Sequence, residues 1–599
     1  MNRLSVLAEL FREGWRSRRA LVLAYLGVTA LDIAAVAGFA LALRSFVHQA
    51  LAHHYPGAVP GALVAAVCWS LSTAGVSART NLVYLLAEST GLELNSRVLA
   101  LVAGLEDLAR LEQPEYADHV DLVRGGGDVI ARSAWLSVEV LSALTRLTAV
   151  LVVMAFIAPP LLAVAAGLVP ALLLSRRGQR HIRGALKRTA PHARLAEHLH
   201  HLLTEPAPGM EIRIAGAHET LRARAHGAWT ALLTGQERAQ WRAAGLSVTG
   251  WAVFAAGNTL ALLLLVRSVG AGDLAPADVL VLLTLTTTLR TQAEGTMATL
   301  RQAADGVHLL ESYCYLTRVG SGRTRGSDEP HLPPPSALRE GIALRGLSFG
   351  YPGSKAPVLR DIDLLLPAGA TVALVGEHGA GKTSLVKLLC GLYEPTGGSI
   401  LVDAVPLGRI PAPAWWAKIT AGFQDHARFA FLAREAVGAG ELSALDDRER
   451  ITEALTAGGA REFVSALPAG LETQLGSEFG GEELSGGQWQ RLALSRAGMR
   501  RAPLLCVLDE PTASLDARSE YELHRRQARL ARVTGARHGT VTLMVTHRFS
   551  TVRMADLIVV LSRGSIVEQG SHADLMAKDG SYASMYRMQE AGYREKGGR

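Results

Sequence analysis

Cysteine is rare in this sequence, and its four residues are too far apart to act together. Cys68, Cys314, Cys390 and Cys506 occur singly along 599 residues. A structural zinc site needs ligands at short spacing, and a disulfide-stabilised secreted domain needs many cysteines in a short chain. The sequence matches neither pattern. We therefore expect free thiols, in a reducing compartment or in lipid.

Charged residues are also scarce, at 19%, whereas hydrophobic residues make up 49%. This balance favours a membrane protein with a soluble part over a wholly soluble enzyme. The net charge of +7 is small for this length, and it fits basic loops beside an anionic membrane surface better than nucleic-acid binding. We therefore expect a lipid bilayer as a partner, and no nucleic acid.

Long apolar stretches dominate the first half of the chain. The first is long enough to span a bilayer, which takes about 20 residues, and it lacks the short core and cleavage site of a signal peptide. We interpret it as a retained anchor, and we expect no peptidase domain in the residues before it. A tight turn at Pro159–Pro160 separates the third stretch from the fourth. The six stretches are at roughly 20–43, 57–78, 134–158, 160–175, 244–267 and 276–297.

Two long connections, at 79–133 and 176–243, are charged and have apolar residues at helical spacing. They hold many basic residues, whereas the opposite side offers only Arg44 and Arg267. By the positive-inside rule, the connections and both termini face the cytoplasm. Residues 1–316 are therefore predicted to form a six-helix transmembrane domain with long cytoplasmic extensions, in the cytoplasmic membrane.

The composition changes near residue 317. Residues 317–340 are rich in Gly, Ser, Arg and Pro and lack apolar spacing, so they are predicted to be a linker. Beyond it, continuous apolar runs such as 371–375 and 504–508 are typical of strands in a parallel sheet covered by helices. The second half is therefore predicted to be an α/β domain at 341–590, followed by a tail at 591–599.

The run from Gly376 to Thr383 fits the phosphate-binding pattern G-x-x-x-x-G-K-[ST]. It lies between a predicted strand and a helical run, which argues against a chance glycine-rich turn. Glycines allow successive backbone N–H groups to face a phosphate, and the helix directs its positive end there. Lys382 is expected to contact the outer phosphates, and Thr383 to supply an oxygen for Mg²⁺.

Two carboxylates, Asp509 and Glu510, directly follow the apolar run 504–508. At the carboxyl end of a strand, one is well placed to hold Mg²⁺ and the other to orient or deprotonate an attacking water. The plain alternative is that Asp509 caps the turn through Pro511–Thr512. The phosphate loop makes the catalytic interpretation the stronger one.

The run Leu484–Gln488 reads Leu-Ser-Gly-Gly-Gln and precedes a helical pattern. It fits a helix cap, and a serine with two glycines at a helix start also forms an anion site. The two interpretations agree physically, and neither identifies the anion.

Taken together and in this order, the motifs resemble those of the ABC transporter family. Residues 341–590 resemble its nucleotide-binding domain, and the six apolar stretches resemble the exporter-type (type IV) membrane domain. The chain thus resembles a half-transporter with both parts fused. The resemblance implies an α-helical six-span transmembrane domain followed by an α/β P-loop NTPase domain, with ATP and Mg²⁺ as cofactors.

The resemblance also assigns roles to single residues. It implies that Tyr351 stacks on adenine, that Gln424 reaches Mg²⁺ and senses the membrane domain, and that His547 contacts the γ-phosphate. Glu510 is then the base or water-orienting group, supported by Lys382 and His547. The implied Mg²⁺ contacts are Thr383, Gln424 and Asp509. The implied nucleotide contacts are Tyr351, Gly376, Glu377, His378, Gly379, Ala380, Gly381, Lys382, Thr383, Ser384, Gln424, Ser485, Gly486, Gly487, Gln488 and Asp516.

In this family the signature of one subunit, here Leu484–Gln488, closes over the phosphate loop of the other. The resemblance therefore implies a dimer, with a homodimer as the simpler form and a heterodimer left open. Ser514–Asp516 resembles the loop that couples the two ATP sites. Pro114–Asp118 and Glu211–Glu219 resemble coupling helices, although simple helix–helix turns also explain both.

Several polar residues lie in or next to the apolar stretches. Ionisable groups in lipid are costly, so we expect them to face a cavity or a partner. Arg290 and Glu294 are four residues apart and can pair on one helix face. The sequence assigns none of them to a substrate. They are Asp32, Glu139, Arg146, Asn258, Arg290 and Glu294.

The sequence thus predicts ATP-driven export of a small molecule, peptide or lipid. Two alternatives remain open: an ATP-gated channel or regulator, which would conduct ions, and an exporter-fold importer. A soluble ATPase is contradicted by the apolar stretches.

Overall fold

The computed structural model describes residues 3–124, 126–157, 162–270, 276–320, 331–354, 356–510, 517–546 and 552–597. The chain divides into two compact units. The helical unit comprises Met1–Val102 and His119–Arg318, and the α/β unit comprises Ala103–Asp118 and Val319–Arg599.

Long helices make up the helical unit. The 49 residues of α3 extend roughly 70 Å at 1.5 Å per residue, well beyond the roughly 30 Å hydrocarbon core of a bilayer. The helices of the first 320 residues are α1 (Arg3–Ser17), α2 (Arg19–Leu51), α3 (Tyr55–Ala103), α4 (Leu108–Leu111), α5 (Pro114–Val123), α6 (Gly127–Ile157), α7 (Leu162–Thr204), α8 (Pro206–Ile214), α9 (His218–Gly270) and α10 (Pro276–Gly320).

Four described segments are long and apolar enough to cross a membrane: Arg19–Leu51, Tyr55–Ala103, Gly127–Phe156 and His218–Leu263. They contain the first and second predicted stretches, and all but the last residues of the third and the fifth. The other two stretches fall largely in α7 and α10, so the count of six spans stays a prediction. The predicted turn at Pro159–Pro160 lies outside the described residues.

One apolar core joins five long helices of the helical unit, namely α2, α6, α7, α9 and α10. Val36 of α2, Met154 of α6 and Leu289 of α10 are buried together with Leu168 of α7 and Phe254 of α9. In addition, α7 and α9 pack against each other along much of their length. The helices therefore form one packed body.

Two sheets form the centre of the α/β unit, which confirms the predicted α/β fold. The first is antiparallel, in the order β2-β1-β4-β5, and the second has the order β10-β9-β3-β8-β7-β6. Within the second sheet, β9, β3, β8, β7 and β6 are parallel. The strands are β1 (Gly341–Phe349), β2 (Leu359–Pro367), β3 (Thr371–Val375), β4 (Gly397–Val402), β5 (Val405–Pro406), β6 (Ile419–Gly422), β7 (Leu505–Asp509), β8 (Val541–Val545), β9 (Leu557–Ser562) and β10 (Ser565–Gly570).

Burial of the central strands explains their apolar sequences. All five residues of β8 are buried, as are four of the five in β3, because helices cover both faces of a parallel sheet. The helices of this part are α11 (Lys382–Leu389), α12 (Ala412–Trp416), α13 (Ala433–Gly438), α14 (Arg448–Ala457), α15 (Arg461–Ser465), α16 (Gly486–Ala497), α17 (Ala517–His538), α18 (His572–Lys578) and α19 (Ser581–Gly597).

Candidate functional site: a phosphate loop and paired carboxylates

The predicted phosphate loop connects the end of β3 to the start of α11. Gly376, Gly379 and Gly381 have φ angles of +154°, +77° and +104°, which side-chain-bearing residues rarely adopt. A Cβ atom on Gly376 would lie 2.1 Å from the carbonyl oxygen of Leu561. Glycine is therefore required at this turn, which directs backbone N–H groups and the N-terminus of α11 towards a common point.

Lys382 and Ser384 lie in the first turn of α11. The Lys382 ammonium donates to the carbonyl oxygens of Gly376 and Glu377, at 2.8 and 2.9 Å. The Ser384 hydroxyl lies 3.0 Å from the hydroxyl of Tyr351. The ring predicted to stack on adenine therefore lies directly beside the phosphate loop.

The paired carboxylates follow β7, two strands from β3 in the same parallel sheet. Asp509 is the last residue of β7 and is only 6% exposed. Glu510 has a φ of +47°, and its N–H donates to the Val545 carbonyl oxygen of β8 at 2.9 Å. The carboxyl ends of parallel strands meet at one edge of the sheet, so both groups lie on the phosphate-loop edge.

Charges at this edge affect one another. Burial and the neighbouring Glu510 carboxylate raise the pKa of Asp509 to about 6, and Lys382 partly offsets this. Burial likewise lowers the pKa of Lys382, against the opposing effect of Glu510 and Asp509. Two carboxylates beside one half-buried ammonium form a site that an added cation would stabilise.

Gln424 lies at the same edge, two residues after the end of β6, which pairs with β7. Its backbone carbonyl oxygen lies 3.2 Å from Nδ1 of His426. The structure therefore brings Lys382, Asp509, Glu510 and Gln424 to one edge of one sheet. The other two predicted residues of this group, Asp516 and His547, lie outside the described residues.

The predicted signature forms the start of α16. The Ser485 hydroxyl accepts from the Gln488 N–H at 3.3 Å, and the Gln488 side chain accepts from the Ser485 N–H at 2.8 Å. This reciprocal capping box supports the helix-cap interpretation. Ser485 and Gly486 are exposed, whereas Leu484 is buried, so the helix N-terminus is accessible from outside the unit.

Comparison with known proteins shows that these features lie within one known type of domain. Residues 359–513, which include the phosphate loop, Gln424, the signature and both carboxylates, match the family model described as ABC transporter. This chain carries an ABC transporter ATPase domain. ATP binding follows from that domain.

Curated relatives are similar over part of their length. The ATP-dependent lipid A-core flippase of Bordetella avium is 40% identical over 252 residues, or 42% of this chain and 41% of the relative. The flippase of the same description from Bordetella pertussis is 38% identical over 299 residues, or 50% of this chain and 45% of the relative. The chain thus matches less than half the length of each.

A solved structure is similar over almost the whole chain. It is a bacterial Atm1-family ABC exporter with ATP bound, with a TM-score of 0.78, 23% identity, and coverage of 96% of this chain and 99% of the other. At that identity the likeness establishes the fold, which is that of an ABC exporter.

One buried polar residue of the ABC domain was missed in the sequence. Gln490 of α16 is 5% exposed, and its amide nitrogen donates to the Glu510 carbonyl oxygen at 3.2 Å. The signature helix is therefore bonded to the backbone of the predicted catalytic residue. The sequence does hold a signal for Gln490: it is a polar residue four positions before Leu494, on the apolar face of the predicted helix.

Residues 103–118 also belong to the ABC domain by their contacts, although they connect α3 to α6 in sequence. Asp107 caps α4 by accepting from the Ala109 N–H at 3.0 Å. Leu108 donates its N–H to the Leu392 carbonyl oxygen at 3.2 Å and, with Ala109, packs against the main core. The predicted coupling element, Pro114–Asp118, lies at the end of this segment.

In the helical unit of this exporter fold, a buried ion network joins α2, α3 and α6. Asp32 pairs with Arg79 and with Arg146, the latter at 2.5 Å, and Glu139 pairs with Arg146 at 2.9 Å. The expectation of a partner for Asp32, Glu139 and Arg146 is therefore met within the chain. The sequence does not indicate Arg79 as a member of this network, because it lies one residue past the predicted end of the second stretch.

Two cavities flank this network. One, of about 440 Å³, lies between α2, α3 and α10 and is lined by groups such as Phe39, Trp69 and Thr288. The other, of about 510 Å³, is lined by polar groups including Arg79 and Glu139. The predicted pair of Arg290 and Glu294 is present at 3.1 Å and is largely exposed.

Proposed function

We propose that the protein hydrolyses ATP to export a lipid or another small amphipathic molecule across the cytoplasmic membrane. The phosphate loop, Asp509, Glu510 and Gln424 at one sheet edge carry the proposal, because they occur in a chain with membrane-length helices. The curated relatives described as lipid A-core flippases and the exporter fold support it. Fusion of the membrane and nucleotide-binding halves in one chain favours export over import.

The residues at the sheet edge fit a Mg²⁺ ion. Among the described residues, no cluster of three or more His, Cys, Asp or Glu side chains could hold a metal. Mg²⁺ needs only one or two protein oxygens when phosphates supply others. Asp509, Thr383 and Gln424 would hold it, and the ion would neutralise charge on the phosphates. The raised pKa of Asp509 is consistent with a carboxylate placed for a cation.

In this mechanism, Lys382 and the phosphate-loop N–H groups bind and orient the outer phosphates. Glu510 orients the attacking water and accepts its proton, and His547 is proposed to contact the γ-phosphate. Catalysis comes from positioning and charge stabilisation. A second copy of the chain would supply the start of α16 at Ser485–Gln488, of which Ser485 and Gly486 are exposed, to complete each site. A heterodimer would supply the same element from a different chain.

The substrate path is proposed to use the two cavities of the helical unit. The cavity at Phe39 and Trp69 suits apolar groups, and the cavity at Arg79 and Glu139 suits a polar group. Because both are lined by Val76, they are neighbours on α3. An amphipathic molecule would match this arrangement.

The test is ATPase activity of the protein in lipid nanodiscs, measured against lipids, hydrophobic drugs and peptides. Wild-type protein should hydrolyse ATP with Mg²⁺ and be stimulated by at least one amphipathic compound. Glu510→Gln should still bind ATP but turn over roughly 100-fold or more slowly. Normal hydrolysis by Glu510→Gln would show that Glu510 is not the base.

A further inference from the structure

Glu112, at the end of α4, is bonded to two side chains of the ABC domain. One carboxylate oxygen lies 3.2 Å from the Lys387 ammonium, and the other accepts from the Tyr393 hydroxyl. Although burial alone would raise it, these partners hold the pKa of Glu112 below its ordinary value. The carboxylate is therefore ionised at neutral pH, and it anchors residues 103–118 at one defined point.

The partners of Glu112 also contact Tyr351. The Lys387 ammonium lies 5.6 Å from the centre of the Tyr351 ring and 5.3 Å from that of Tyr393. The two rings meet edge to face, 5.4 Å apart at 87°. Favourable cation–π and edge-to-face geometries thus connect all three side chains. Tyr351 is separated from Glu112 by a single layer of side chains.

Nucleotide binding would affect both the hydroxyl group and the ring of Tyr351. Its hydroxyl lies 3.0 Å from the hydroxyl of Ser384, one of the proposed phosphate contacts. Its ring is the proposed stacking surface for adenine. A bound nucleotide would therefore compete for Ser384 and cover the ring, fixing Tyr351 in a new environment. Lys387 and Tyr393 contact that ring directly, so they respond to the change.

We propose that Tyr351, Lys387, Tyr393 and Glu112 form an adenine sensor that signals base occupancy to residues 103–118. This inference rests on the proposed ATP site and adds a route separate from Gln424 and the phosphates. The segment continues into α3 at one end and, through the rest of the short helix α5, towards α6 at the other, so a change in its anchoring reaches both long helices through the chain. If these contacts only held residues 103–118 in place, the segment would behave in the same way with and without a bound base.

The experiment is hydrogen–deuterium exchange on the full chain in nanodiscs, with Mg²⁺ and either AMP-PNP or inorganic tripolyphosphate. Each ligand is used at the concentration that gives equal protection of the phosphate-loop peptide, residues 376–384. AMP-PNP should slow exchange in the peptide containing Leu108 by at least about threefold, the size expected for strengthening one hydrogen bond. Tripolyphosphate, which lacks a base, should leave that peptide unchanged.

Variants locate the response. Glu112→Gln should abolish the AMP-PNP effect at Leu108 while protection of residues 376–384 stays as in wild type. Tyr393→Phe keeps the ring and removes the hydroxyl, so it should weaken the effect, and the double variant should lose no more than Glu112→Gln. Glu115→Gln makes the same charge change at an exposed position three residues away and should respond like wild type.

Two results would overturn the sensor: equal protection of the Leu108 peptide by tripolyphosphate, or a wild-type response in Glu112→Gln. If AMP-PNP protects residues 376–384 but not the Leu108 peptide, only the sensor fails. If AMP-PNP protects neither peptide, the proposed ATP site fails with it.

Discussion

Asp509 has a cost for folding that its proposed contact with Mg²⁺ would offset. Its carboxylate is almost fully buried at the end of β7, beside the carboxylate of Glu510. Both effects disfavour the ionised form, which raises its pKa to about 6. In the metal-free protein, the ionised group therefore reduces stability at neutral pH. Protonation relieves that cost as the pH falls through about 6.

Asp509→Asn tests this directly. At pH 7.5 without Mg²⁺, the variant should unfold at a higher temperature than wild type. Its free energy of unfolding should be higher by up to about 3 kcal/mol. At pH 5 the difference should shrink, because wild-type Asp509 is then largely protonated. Thermal melts at the two pH values measure both effects. An equal difference at the two pH values would contradict the raised pKa.

At the residue scale, the sequence predicted those residues that belong to short, continuous motifs. The spacing from Gly376 to Thr383 and the pair after β7 predicted where Lys382 and Asp509 lie, and the structure agrees. Partners contributed by distant segments were not predictable. Arg79 meets Asp32 across two helices, and Glu112 meets Lys387 across 275 residues, because these contacts depend on tertiary packing.

Among the elements, α16 connects two parts of the proposed site. Its N-terminus carries the capping box at Ser485, and its buried face packs on β7, where Leu494 and Leu508 share a small core. Gln490 on that face bonds to the backbone of Glu510, whose φ of +47° is unfavourable for a residue with a side chain. The helix therefore helps to hold the proposed base in its strained conformation.

Gln490→Met tests this role, because methionine has a similar length and no N–H donor. Its kcat should fall about tenfold, because the free energy of one lost hydrogen bond corresponds to about that change in rate. The KM for ATP should stay unchanged. Gln527→Met is the matched control, since Gln527 is also buried and donates to a backbone carbonyl, at 3.4 Å. If both variants lose the same kcat, Gln490 has only a structural role.

Periodicity predicted the long helices and the central strands, because each element is apolar at the spacing its burial requires. It did not predict that residues 103–118 pack with the ABC domain. That assignment rests on the contacts of Leu108, Ala109 and Glu112, which are too few to create a pattern in the sequence.

In the helical unit, buried charges of opposite sign compensate one another, which lowers the cost of burying them. Asp32 and Glu139 offset Arg79 and Arg146 within three helices. Breaking a buried pair leaves a charge without compensation, whereas removing both partners is far less costly. The network is therefore compatible with the packing of α2, α3 and α6 only while its charges stay balanced.

Arg146→Met should destabilise the protein by roughly 3–5 kcal/mol, measured as thermal unfolding in nanodiscs. Arg146→Met combined with Glu139→Gln removes one charge of each sign and should recover most of that loss. Arg290→Met breaks a largely exposed pair in the same unit and should cost at most about 1 kcal/mol. Equal losses in Arg146→Met and Arg290→Met would contradict the network's role.

The central claim, ATP-driven movement of an amphipathic molecule, is tested most directly in proteoliposomes. Fluorescent phospholipids, a hydrophobic dye and a short labelled peptide serve as probes, with wild type compared against Glu510→Gln. The account predicts that MgATP drives at least one amphipathic probe across the bilayer in wild type, and that Glu510→Gln abolishes this. ATP-gated ion current without movement of any probe would contradict export and establish a channel instead.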